Sequence, residues 1–248
     1  MTLLSSFSSD CNVAIIGASG GIGGAMLRLL SDDSRVANIH AFARSAIDAS
    51  LPKVTAGTID LNNEDSIANA AKLAAQNEPL DLVIVTSGIL WKGEDLRPEK
   101  SMRELGVGGL MQLFAVNAAG PALVAKHFLP ALRKNSKTLF ASLSARVGSI
   151  GDNRLGGWYS YRASKAALNM LLKTFAIEHA RQWPNSVVAG LHPGTVDTAL
   201  SQPYTSRTPK DALFSPETSA RHLLNVMDQL CPEDSGGVFA WDGSRIQY

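Results

Sequence analysis

A tyrosine and a lysine stand one helical turn apart in the middle of the chain, in Tyr161-Arg162-Ala163-Ser164-Lys165. On a helix, residues i and i+4 share a face, so phenol and ammonium point the same way. A free phenol, with a pKa near 10, moves protons poorly at neutral pH. A neighbouring ammonium, together with the positive ring of an oxidised nicotinamide, favours the phenolate and lowers that value, which makes a tyrosine usable as a general acid or base. Nearer the amino terminus an apolar run enters Gly17-Ala18-Ser19-Gly20-Gly21-Ile22-Gly23. Glycines spaced G-x-x-x-G-x-G permit a tight turn off a strand and let backbone N–H groups, from Ser19 to Gly23, approach a pyrophosphate. The amino terminus of the helix that follows favours the negative charge. No Gly-Lys-Ser/Thr ends the turn, which excludes a P-loop. Each feature alone is common. In this order they describe a dinucleotide held on a glycine turn and a carbonyl protonated by an activated phenol.

The end of the second strand bears on which nicotinamide is held. An NAD site needs an acid there for the ribose 2′-hydroxyl, whereas a 2′-phosphate needs a cation. The chain offers Ala41-Phe42-Ala43-Arg44-Ser45, with no acid until Asp48. Arg44 can grip a phosphate bidentately and Ser45 can donate to it, so the expected cofactor is NADP(H). The alternative is a solvated Arg44 and a site indifferent to the phosphate.

These groups need a scaffold, and the pattern supplies one. Apolar, β-branched runs at 12–16, 39–43, 54–59, 82–85, 138–143, 187–191 and 238–241 read as strands, and longer periodic segments between them read as helices. Helices are expected at 64–76, capped by Asp60 or Asn62, at 109–133 with a kink at Pro121, and at 160–181. Strand–helix alternation with near-continuous apolar strands predicts an α/β fold: a single-domain, Rossmann-type doubly wound parallel sheet over residues 1–248. Ligand then binds at the carboxyl ends of the strands. The long irregular stretch 193–215, rich in Thr, Ser and Pro, reads as a substrate lid.

Composition narrows the classes. Hydrophobic residues make up 45% and charged residues 18%, which excludes extended disorder. Net charge is +1, from 23 basic and 22 acidic residues, giving no reason to expect nucleic acid or an anionic membrane as partner. No stretch approaches the roughly 20 apolar residues that a membrane span needs. Two isolated cysteines, Cys11 and Cys231, and a polar amino terminus without a signal pattern point to the cytoplasm. The five histidines are scattered without zinc-ligand spacing, so no metal is expected.

Several ordered motifs together resemble the short-chain dehydrogenase/reductases over nearly the whole length. They are Gly17-x-x-x-Gly21-x-Gly23, Asp60 after the third strand, Asn117 in Val116-Asn117-Ala118-Ala119-Gly120-Pro121, Tyr161-x-x-x-Lys165, and Pro193-Gly194-Thr195-Val196-Asp197-Thr198. Within the family, residues 142–150 and the ending Trp241-Asp242-Gly243-Ser244-Arg245 are similar to the C-factor-like, sniffer-type carbonyl reductase branch. The resemblance implies that Tyr161 protonates the substrate oxygen and that Lys165 lowers its pKa and holds the nicotinamide ribose. It implies a water relay through Asn117 and a serine bonded to the substrate oxygen. It also assigns Asp60 and Leu61 to the adenine, Ser87 and Gly88 to the cofactor beyond the fourth strand, and Pro193, Gly194, Val196 and Thr198 to the carboxamide and lid. Homodimers or homotetramers built through the two long helices are implied as well.

The chain departs from the family pattern twice. Where the serine normally stands there is Gly148. Ser144 is taken as the candidate, with Ser142 or Ser149 as fallback, while an alignment anchored on Gly148 puts Ala145 at the serine position. After the fourth strand the chain reads Val85-Thr86-Ser87-Gly88, where Thr86 can still bond backbone. Trp91, Trp158, Tyr159 and the lid suggest an apolar or aromatic carbonyl compound as substrate. Two classes stay open: an NADP(H)-dependent oxidoreductase, and a dinucleotide-binding regulator that kept the pocket and lost turnover.

Overall fold

The computed structural model describes every residue except Met1, Arg207, Thr208, Lys210 and Asp211. Along the chain run β1 (Cys11–Ile16), α1 (Gly21–Ser31), β2 (Val36–Ala43), β3 (Val54–Thr58), α2 (Glu64–Ala74) and β4 (Leu82–Val85). Then come α3 (Val107–Phe114), α4 (Gly120–Phe128), β5 (Thr138–Leu143), α5 (Tyr159–His179) and β6 (Ser186–His192). The chain closes with β7 (Thr195–Val196), β8 (Leu213–Phe214), α6 (Pro216–Gln229) and β9 (Val238–Ala240). Seven strands form one parallel sheet in the order β3-β2-β1-β4-β5-β6-β9. The order reverses between β1 and β4, so the crevice at their carboxyl ends is the place for a ligand.

The unbroken apolar runs are explained by burial on both faces. In β1, Val13 and Ile15 join a cluster with Met26, Leu30, Leu223 and Met227 of α1 and α6. The alternate residues, Ala14 and Ile16, join Ile67, Val124, Phe128 and Leu168 of α2, α4 and α5. Successive strand residues point to opposite faces, so a strand covered twice must be apolar throughout.

Four expectations need correction. Asn63, rather than Asp60 or Asn62, caps α2, accepting from the Ser66 N–H. Helix α6 was not anticipated, although Ser215 caps it and Ala220, Leu223, Leu224 and Met227 give its buried face. The lid range 193–215 carries its own two-stranded sheet, β7 with β8, and residues 207, 208, 210 and 211 of it lie outside the described residues. The stretch Val107–Ala131 is a helix long and apolar enough to cross a membrane by length and composition. Gln112, Asn117, Lys126 and His127 interrupt its apolar pattern. The kink expected at Pro121 takes the form of a π-helical turn over Ala115–Ala119, immediately before the proline. Proline crowds the carbonyl four residues back, that of Asn117, and a widened turn relieves the clash.

At the opposite, amino-terminal edge of the sheet, the side chain of Asp81 is wholly buried. Its carboxylate accepts from Arg133 Nε at 2.8 Å and from the Asn12 N–H at 2.9 Å. Asp81→Ala is expected to lower stability by about 2–3 kcal/mol, the value of hydrogen bonds to a charged group. Urea unfolding should show this as a shifted midpoint with an unchanged slope.

Candidate active site

The glycine turn is shaped by contact with the neighbouring strand. Gly17 leaves β1 at φ 94°, and a Cβ there would lie 2.6 Å from Thr86 Oγ1 and 2.7 Å from Ser87 Oγ. Only glycine lets the turns after β1 and β4 touch in this way. The Thr86 hydroxyl donates to the carbonyls of Ile16 and Gly17 at 3.0 and 3.1 Å, so the altered segment after β4 still bonds backbone. Helix α1, starting at Gly21 with Ile22 and Gly23, has neither a side-chain cap nor an acid in its first turn. Its leading N–H groups face outward for an anion.

The Ser45 hydroxyl donates to Ser19 Oγ at 2.8 Å, joining the loop after β2 to the glycine turn. Arg44 is exposed beside it. A cleft of about 360 Å³ opens here, lined by Ser19, Gly20, Gly24, Arg28, Ala46 and Asp48 among others. Arg28 was missed in the sequence, yet Gly20, Gly24 and Arg28 follow one another at helical i, i+4 spacing. Asp48 is held below the usual carboxylate range by Ser50, with a smaller pull from Arg28.

The remaining cofactor candidates line the same carboxyl edge. Asp60 accepts from the Asn62 N–H at 3.0 Å, and Leu61 packs where a Cβ on Gly120 would touch it. The Pro193 carbonyl accepts from Ser219 Oγ at 2.9 Å, and Phe214 and Trp241 close on Gly194. Val196 is buried, and Thr198 lies against Gly21, 2.8 Å from where its Cβ would stand. Thr198, near the start of the 193–215 segment, therefore sits against the glycine turn.

Tyr161 and Lys165 are both buried on one face of α5. Lys165 Nζ donates to the Leu143 carbonyl at 2.8 Å and lies 5.8 Å from the centroid of the Tyr161 ring. A Cβ on Gly88 would stand 3.7 Å from Lys165 Nζ and 3.4 Å from Asn117 Oδ1. The structure thus gathers Asn117, Gly88, Lys165 and Tyr161. Asn117 sits in the π turn, donating to the Ile89 carbonyl at 2.8 Å and to Ser164 Oγ at 3.2 Å, and accepting from the Ile89 N–H at 2.8 Å.

The serines are placed differently. Ser144 Oγ donates to Asn169 Oδ1 at 2.6 Å inside the core. Ser142 Oγ is buried without a partner among the described residues, and Ser149 Oγ accepts from the Asp152 N–H at 3.1 Å. Gly148 is fixed by packing, because a Cβ there would meet Lys165 Cβ at 2.8 Å and its carbonyl carbon at 2.9 Å. Ala145 joins Trp91, Val147, Trp158 and Tyr204 in the apolar cluster around Tyr161. The Trp91 indole N–H donates to the carbonyls of Ala199 and Leu200 at 3.1 and 3.0 Å, tying the loop after β4 to the 193–215 segment. Tyr204 gave no periodic signal in the sequence, while Tyr159 stands outside the cluster and partly exposed.

Burial sets the titration of the pair. It pushes the Tyr161 phenol up to about 12 and the Lys165 amine down from 10.5 to about 8. Burial moves the phenol in the direction opposite to the lowering that an ammonium and an oxidised nicotinamide ring would together produce. Lys165 points its ammonium at the Leu143 carbonyl, and desolvation of the phenol in an apolar cluster outweighs its pull. Below pH 8 the folded protein keeps buried an ammonium that the unfolded chain hydrates. This penalty is fully present there and fades as pH rises from about 8 to 10.5. Lys165→Met is therefore expected to stabilise the fold by about 3 kcal/mol at pH 7, with the gain vanishing by pH 10.5. Urea unfolding of both proteins across that range checks the sign.

Comparison with known proteins agrees with this architecture. The short chain dehydrogenase family model matches residues 12–209. The 1-hydroxy-2-glutathionyl-2-methyl-3-butene dehydrogenase of Rhodococcus sp. (strain AD45) is 31% identical over 238 residues, spanning 95% of this chain and 99% of that protein. C-signal of Myxococcus xanthus is 32% identical over 172 residues, spanning 68% of this chain and 93% of that protein. The NADPH-bound carbonyl reductase from chicken fatty liver superposes with a TM-score of 0.83 at 22% identity, covering 98% of this chain and 97% of the other. By sequence and by fold, this chain belongs to the short-chain dehydrogenase family of oxidoreductases.

Proposed function

We propose that the protein interconverts a carbonyl and an alcohol with NADP(H), using Tyr161 as general acid and base. The observation that carries this reading is the gathering of Tyr161, Lys165, Asn117 and Gly88 beside the glycine turn, at the strand ends where the sheet order reverses. The residues present fit the cofactor. Gly17 and Gly21 stand where a Cβ would collide, α1 starts uncapped, Arg28 lines the cleft beyond β2, Ser45 bonds Ser19 of that lining, and Arg44 is exposed next to Ser45 in the chain. The relative superposed above is an NADPH-bound carbonyl reductase, which supports the same choice.

NADPH, when bound, supplies the hydride. The chain's own groups do the rest. Tyr161, with its pKa pushed up to about 12, keeps its proton at neutral pH and can deliver it to a carbonyl oxygen. Lys165, between the phenol and the Gly88 turn, offsets the phenolate charge left behind. Asn117 clamps the Ile89 backbone and so fixes the loop that carries Trp91 into the pocket. Ala145, Val147, Trp158 and Tyr204 exclude water and favour an apolar or aromatic substrate. In this reading Ala145 replaces the serine hydroxyl, and the substrate oxygen is met by the phenol alone. Val107 and Met111 on α3, and Met170 and Ile177 on α5, are exposed and suit self-association as a homodimer or homotetramer.

Absorbance assays with NADPH and a panel of aldehydes and ketones test the reading. Turnover is expected with the native protein, and Tyr161→Phe should lower it about 10²–10⁴-fold while NADPH binding is kept. NADPH binding without turnover on any carbonyl would favour a regulator over an enzyme. Arg44→Ala is expected to weaken NADPH about 10–100-fold and leave NADH unchanged, as loss of a charge-assisted pair requires. Equal weakening of both cofactors in a titration would remove Arg44 from the phosphate site.

A further inference from the structure

Glu99, in the loop between β4 and α3, is only 5% exposed. Its carboxylate accepts from the Ser160 N–H at 3.2 Å and from the Ser160 hydroxyl, and its main-chain carbonyl accepts from the Trp158 N–H at 2.5 Å. Ser160 lies in the first turn of α5, and the N-cap residue Trp158 offers no side-chain cap. Glu99 thus supplies from a distant loop the acceptor that a helix start needs, and places negative charge at the positive end of the helix dipole.

The turn held in this way is strained. Gly156, Gly157 and Trp158 have φ of 64°, 65° and 52°, three left-handed residues in succession, and a tryptophan adopts that region rarely. On the other side, Arg162 Nε donates to the carbonyls of Gly156 and Gly157 at 3.2 and 3.0 Å, and Arg162 Nη1 to that of Val147 at 3.3 Å. The Trp158 indole consequently meets the Tyr161 ring edge-on at 6.2 Å and the Tyr204 ring at 5.2 Å. Strain of this kind persists where the surroundings over-determine it, and such places cluster at functional sites.

We propose that Glu99 is a positioning residue: by capping α5 and tethering Trp158, it holds the Tyr161 phenol and its indole wall in the geometry proton transfer needs. The proposal rests on the role given to Tyr161 above. Three variants test it in the full chain: Glu99→Ala, Glu99→Gln and, in case the first folds poorly, Ser160→Ala. Hydrogen exchange at the start of α5 is read beside kcat, KM and NADPH affinity. Glu99→Ala should speed exchange of the first-turn amides and lower kcat about 10²-fold, the scale of a small misplacement of a reacting group. NADPH affinity should stay within about 2-fold, well inside the tenfold step that 1.4 kcal/mol represents. Glu99→Gln, which keeps an acceptor oxygen, should restore protection and most of kcat, and Ser160→Ala should fall between the two. Unchanged exchange and kcat in Glu99→Ala would overturn the proposal, as would an equal loss in Glu99→Gln. Should the native protein reduce no carbonyl at all, the exchange result still decides whether Glu99 caps the helix. In that case the role of Tyr161 falls separately.

Discussion

A buried ammonium constrains the site more than any other group. Lys165 lies in the interior with its Nζ on the Leu143 carbonyl, and burial of this kind is costly unless the charge finds partners. Around it the fold brings polar atoms that would otherwise have no reason to meet: Asn117 from a π turn, Ser164 from the same helix, and the backbone after β4. Gly148 has no side chain because α5 must come this close at Lys165.

The two ends of the sheet are built on opposite principles. At the amino-terminal edge, the buried carboxylates are paired: Asp81 with Arg133, and Asp33 with the N–H groups of Leu3 and Leu4. At the carboxyl edge, groups are left available, such as the uncapped start of α1 and the phenol of Tyr161 in an apolar cluster. In parallel α/β sheets this asymmetry separates the end that stabilises from the end that binds.

Much of this was legible in the sequence, and the divide is physical. Strands buried on both faces leave continuous apolar runs, so β4 and β5 appear with their observed bounds. Helix i, i+4 geometry places Tyr161 and Lys165 together without any fold. What escaped depends on non-local contact. The length of β2 back to Val36 comes from pairing with Cys11, and the arrival of Tyr204 and Ala145 beside Tyr161 comes from packing across loops. The serine question was of the same sort. Spacing alone left Ser142, Ser144, Ser149, Ala145 and Gly148 in play, whereas direction distinguishes them, with Ser144 turned to Asn169 and Ala145 in the apolar cluster.

That direction matters for the chemistry proposed. A phenol whose pKa is pushed up to about 12 keeps its proton at neutral pH, which suits a donor to a carbonyl better than an acceptor from an alcohol. Lys165, with its amine brought down to about 8, still carries its charge near pH 7 and loses it not far above. The same apolar cluster that moves both values also excludes water from the phenol. In the function proposed, desolvation is then a single cause with two effects: it holds the tyrosine as an acid, and it selects substrates whose surroundings near the carbonyl are apolar. A polar replacement in that cluster would alter both at once, so specificity and acidity in this site are not independent quantities.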